Sequence, residues 1–124
     1  MKSKKFKEKK SKVEYPMFSY EIEIIITNDI PRSYYNRFKV VYEAPIKGGR
    51  PAGMCPSLEE SRKSVLMVDI DTIRDINDVI AHESYHAIKQ LERAICNYDG
   101  GEEWFAYQIG YIVGKVHKVV DSFH

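Results

Sequence analysis

The apolar residues of this chain change their spacing once, near Asp71, and that change sets the order of elements it can form. Before it, Phe18 to Thr27 reads FSYEIEIIIT, alternating at first and then continuously apolar, and Ser64 to Asp69 reads SVLMVD. Both have the β-branched and apolar content of strands. After it, Ile76, Ile80, Ala87, Ile88, Leu91 and Ile95 fall within one arc of a helical wheel, with Asp75 or Asn77 available as the cap. Gly100 and Gly101 break the pattern. A second helix is predicted from about Glu102 to Val120, with Phe105, Ile109, Val113, Val116 and Val120 on one stripe. Between the strands, Asn28-Asp29-Ile30-Pro31 reads as a stop signal and Arg37 to Glu43 as another strand. The glycines and prolines of 44–57 predict a loop or weak edge ribbon. The expected fold is α+β: a small antiparallel sheet of about three strands followed by two helices packed on one face.

The chain has 124 residues, room for one domain of ordinary size, and 44% hydrophobic with 12% aromatic content is enough for a core. No apolar run approaches the roughly 18 residues of a membrane span. The net charge of +1 conceals an asymmetry, since the first 12 residues carry +6 and the remainder −5. Residues 1–12 therefore read as a disordered basic arm on a single domain, 13–124. A solvated arm is the plainer reading. The sharper one is contact with nucleic acid or an acidic partner, although the aromatic interleaving of a specific reader is missing. The basic stretch runs into Val13-Glu14-Tyr15-Pro16 instead of a secretory apolar segment, which favours a cytoplasmic location. Cys55 and Cys96 lack CxxC spacing and read as reduced, buried thiols.

The first helix contains His82-Glu83-Ser84-Tyr85-His86, a His-Glu-x-x-His motif. Residues four apart lie one turn above each other, so His82 and His86 can direct their imidazoles at one metal ion. Glu83 is displaced by about 100° around the axis, where it can reach a water on the metal without being an equivalent ligand. Both histidines fall off the apolar arc. That argues against two satisfied core histidines and leaves two solvated surface histidines as the plain alternative. Asp78, one turn before His82, suits either a partner for that imidazole or an ordinary first-turn acid.

Two histidines leave a tetrahedral zinc short of one protein ligand, and Glu103 in the second helix is the candidate. Glu103, Ala106, Gly110 and Gly114 share a face whose small residues would admit the metal helix. Glu102 competes for the role from the apolar side, where an unpaired carboxylate is costly unless it stays in water.

These residues resemble the gluzincin clan of zinc metallopeptidases, in which a His-Glu-x-x-His helix is followed by a glutamate ligand on a second helix. Glu103, Ala106 and Tyr107 match the Glu-x-x-Ala-polar form of several such families, with Tyr where Asp or Asn is more usual. The Glu-x-x-Ala-Tyr-x-x-Gly-Tyr run is also similar to short metallopeptidase-like proteins of phage and prophage origin. The likeness covers about residues 65–118. It implies a minimal zincin-like domain, a zinc ion held by His82, His86 and Glu103, and a protein or peptide substrate.

The implied chemistry is metal-assisted hydrolysis: zinc keeps one position for water, and Glu83 takes its proton and passes it to the leaving amine. Tyr107, about 6 Å along the helix from Glu103, is a candidate donor to the developing oxyanion and equally a packing residue. Geometry sets one condition. If the first helix ran straight to Cys96, its end would lie about 15 Å past His86, so it must end near Leu91 or Arg93 or the helices must cross steeply. Ser64 to Asp69 reads as an ordinary strand or as a sheet edge that binds an extended peptide. Two further functions stay open: a binding module stapled by a non-catalytic zinc, and a nucleic-acid-associated protein led by its lysines.

Overall fold

The computed structural model describes residues 5–43, 50–58, 61–95 and 101–123. Five strands form one mixed sheet: β1 (Glu8–Tyr15), β2 (Tyr20–Thr27), β3 (Gly53–Met54), β4 (Ser57–Leu58) and β5 (Lys63–Asp69). The order is β1-β2-β5-β3, with β4 also on β5. Three helices accompany it: α1 (Ile30–Phe38), α2 (Ile76–Ala94) and α3 (Gly101–Asp121).

The α+β class agrees with the sequence reading, but the sheet is not a three-stranded antiparallel one. β2 and β5 run parallel, Ile24 opposite Leu66, and parallel neighbours need a crossover rather than a hairpin. That crossover contains α1, where the sequence reading had only a stop and a strand at 37–43. Asp29 caps α1, its carboxylate accepting from Arg32 N, and Pro31 sits in the first turn, where a missing N–H costs nothing. The helix ends at Lys39 in the left-handed region. Residues 41–43 have no regular structure.

The crossover explains the uninterrupted run Ile24-Ile25-Ile26. Ile24 and Ile26 face α2 and α3 with Val13, Leu66, Val68, Ile80, Ile88, Leu91, Ile112 and Val116. Ile25 faces the other way, packing with Val65, Met67 and Ile30 and against Tyr34 and Phe38 of α1. A strand covered on both faces loses its alternation.

The N-terminal segment also differs from expectation. Residues 8–12 are not a disordered arm but the first half of β1, paired from Glu8 opposite Thr27 to Lys12 opposite Glu23. Lysine alternates there with residues facing the helices, so Lys10 and Lys12 project from the outer face in ion pairs with Glu8, Glu14 and Glu21. Lys9 points the other way and donates to the carbonyl and hydroxyl oxygens of Ser122, just past the end of α3. A cation there complements the helix terminus. Residues 1–4 lie outside the described residues.

Candidate metal centre

The helix carrying the motif begins where the sequence places it. Asp75 caps α2 through a bond from Asn77 N, and Ile80, Ala87, Ile88 and Leu91 are fully buried against the sheet. This seating turns His82 and His86 to solvent and Glu83 inward, to 6% exposure. The two imidazoles converge: His86 Nε2 lies 3.1 Å from His82 Nε2. That is the separation of an N–H···N hydrogen bond between the rings, and it is close to the roughly 3.3 Å between two nitrogens on one tetrahedral zinc. Partial burial, then His82 and Arg93, hold the His86 imidazole below its ordinary 6.5.

Glu83 is set by the sheet edge. A Cβ built on Gly53 of β3 would fall 2.9 Å from Glu83 Cγ, 3.1 Å from Glu83 Oε2 and 2.8 Å from Val79 Cγ1. The strand backbone therefore lies directly on the carboxylate stem. Burial raises the Glu83 carboxyl above its ordinary 4.5, partly opposed by His82. Together Ala52, Gly53, Arg74, Asp78, Val79, His82 and Glu83 line a cleft of about 520 Å³.

The edge above this cleft is open in one respect. Asp69 N donates to Ala52 O, which makes Ala52 and Asp69 a hydrogen-bonded pair. By the antiparallel alternation the next pair, Gly53 and Val68, is non-bonded. The N–H and C=O of Gly53 thus point away from β5, towards a side on which no described strand pairs with β3. Ser64 to Asp69, open in sequence to being either an edge strand or an ordinary sheet member, lies inside the sheet between β2 and the β3 and β4 segments.

The second-helix residues are placed differently from expectation. Glu103 is exposed in the first turn of α3, and among the described residues no group of three His, Cys, Asp or Glu is gathered as for a metal. Glu102 is exposed beside it. α2 stays helical to Ala94, past the ending near Leu91 or Arg93 noted above, so that its last residue lies about 12 Å beyond His86. Residues 96–100, where a returning loop and Cys96 were expected, lie outside the described residues. The Gly110 and Gly114 face does not admit α2 either, since a Cβ at each would meet nothing within 4 Å. Tyr107 is 71% exposed and is not part of the cleft around His82 and Glu83.

Sequence reasoning passed over Gly53, whose only signal was the glycine-rich stretch around it, and a polar chain behind the cleft. Tyr20 Oη and Ser64 Oγ are hydrogen-bonded at 2.5 Å. Ser64 Oγ donates to Gln90 Oε1 at 2.5 Å, and Gln90 Nε2 donates to Cys55 O at 2.6 Å. Gln90 so ties α2 to the β3 and β4 side of the sheet, one turn past His86. Burial, with Glu83 nearby, pushes the Cys55 thiol up to about 12.

In comparison with known proteins, no family model, curated protein or solved structure matches the chain. Among the described residues no helix is long and apolar enough to cross a membrane.

Proposed function

We propose that this chain is a zinc-dependent peptidase acting on an extended protein or peptide segment. The observation that carries the reading is the 3.1 Å convergence of His82 and His86 Nε2 beside a buried carboxylate, Glu83, under an open sheet edge. His82 and His86 would hold the metal with an acid from the first turn of α3, Glu103 ahead of Glu102; this requires that turn to close on the histidines. When bound, zinc supplies Lewis acidity and lowers the pKa of a water. Glu83 accepts a proton from the attacking water and delivers it to the leaving amine. The outward N–H and C=O of Gly53 pair with the substrate backbone, which aligns an extended segment along the cleft. Arg74, rather than Tyr107, is the donor lining the cleft for the developing oxyanion.

A purely structural zinc site is closed by its ligands. Here His82, one of the pair, lines an open cleft together with Glu83, which favours catalysis over a staple. Metal analysis of the purified protein should give about one zinc per chain, lost on His82→Ala or His86→Ala. Glu83→Gln should keep the zinc and abolish cleavage of fluorescently labelled casein. Zinc bound with no cleavage by the native protein would leave the binding-module reading, and no zinc would end both. Comparing zinc affinity in Glu103→Gln and Glu102→Gln identifies the third ligand.

A further inference from the structure

The outward face of α3 is not covered by any of the described residues. Glu103, Ala106, Tyr107, Gly110, Tyr111 and Gly114 are exposed, and Tyr107 and Tyr111 remain 71% and 51% accessible. Gly110 and Gly114 stand in the interior of a 21-residue helix, where glycine is the least favourable residue apart from proline. A Cβ at either would meet nothing within 4 Å among the described residues, so no contact with these residues requires their small size. The charges of the helix are ordered as well. Its first turn carries Glu102 and Glu103, and its later turns carry Lys115, His117 and Lys118 ahead of a single acid, Asp121, at the end. The helix dipole accounts for that order, but not for the glycines.

We propose that two copies of the chain associate through α3, antiparallel and about a two-fold axis near Gly110. The charge pattern selects the direction. Parallel helices would set like charges side by side, whereas a two-fold through Gly110 brings the acidic turn of each copy to His117 and Lys118 of the other. The same axis sets Ala106 opposite Gly114, and Tyr107 beside the space that the missing Gly114 side chain leaves. Glycine at the crossing lets the two backbones approach closely, which is the use for it that the isolated chain lacks. The proposal stands whether or not the chain binds zinc.

Sedimentation equilibrium of the full chain at concentrations up to a few hundred micromolar should give twice the 14.4 kDa of the monomer, with dissociation promoted by salt. Gly110→Arg should be monomeric with unchanged far-ultraviolet circular dichroism, since arginine favours the helix more than glycine does. In a Cys96→Ser background, Gly110→Cys should form a disulfide-linked dimer on mild oxidation, because a residue on the axis meets its own copy. Lys10→Cys, on the outer face of the sheet, should not. A monomer at every concentration, a dimer indifferent to Gly110→Arg, or equal cross-linking at both cysteines would overturn the proposal. None of these readouts depends on metal or on cleavage.

Discussion

At Gly53 the absence of one methyl group decides how the sheet edge meets the helix. A Cβ would lie within 3 Å of both Val79 Cγ1 and Glu83 Cγ, so an alanine must lift the short β3 strand or push the Glu83 side chain outward. Gly53→Ala should destabilise the fold by about 1–3 kcal/mol, the usual cost of overpacking, read from urea unfolding. His82 and His86 lie on the exposed side of α2, so the substitution should leave zinc stoichiometry unchanged. An alanine variant as stable as the native chain would mean that the edge does not press on Glu83. Cys55 offers a second residue-scale test. With its pKa pushed up to about 12 by burial and by Glu83, roughly one molecule in ten thousand carries the thiolate at pH 8. Peptide-resolved mass spectrometry after iodoacetamide treatment should find Cys55 unmodified in the native protein and fully alkylated in urea.

Among the elements, α2 and α3 were legible because an amphipathic period repeated over several turns is a redundant signal, and caps such as Asp75 confirm it. The α1 segment was not. Its nine residues contain only Ile30, Tyr34 and Phe38 as an apolar stripe, and Pro31, which ends a strand as readily as it begins a helix, was taken in the first sense. The parallel pairing of β2 and β5 was lost with it, since the crossover is what permits that pairing. β1 was hidden for another reason. Five of its eight residues are charged, and a charged edge strand has the composition of a solvated tail. In the candidate site, the histidine pair and Glu83 could be read from a spacing within one helix, whereas the placement of Glu103 depends on how two helices cross. Two measurements test the corrected elements. Asp29→Ala removes the carboxylate that accepts from Arg32 N and should cost about 1 kcal/mol in urea unfolding, as for other N-caps. Deleting residues 1–12 removes the Glu8 to Lys12 pairing with Glu23 to Thr27. The truncated chain should lose its cooperative thermal transition, whereas removal of a solvated arm would leave that transition in place.

On the scale of the whole molecule, helices cover one face of the sheet and α1 covers only part of the other. A network of charges lies beside it on that face. Glu23 at its centre accepts two bonds from Arg37, at 2.8 Å and 2.9 Å, and Lys63 bridges Glu23 and Glu21 at 3.0 Å to each. Arg37 chiefly, with Lys63, holds the Glu23 carboxyl below its ordinary 4.5 against the opposing effect of partial burial. The pairs join α1 to β2 and β2 to β5, so they brace the crossover that the fold depends on. A carboxyl with a lowered folded pKa is stabilising in its ionised form. Its contribution is complete above the ordinary value and is lost as the pH falls through the lowered one. Glu23→Gln keeps the shape and removes the charge. At pH 7 it should cost about 1 kcal/mol, a figure reduced for the solvent that reaches a group about one-fifth exposed. The difference from the native chain should shrink progressively below pH 4.5 and approach zero once Glu23 is protonated in both states. Urea midpoints for the two proteins between pH 7 and pH 3 measure this directly. A gap that persists unchanged into acid would assign the cost to lost packing, leaving the crossover held by its apolar contacts alone.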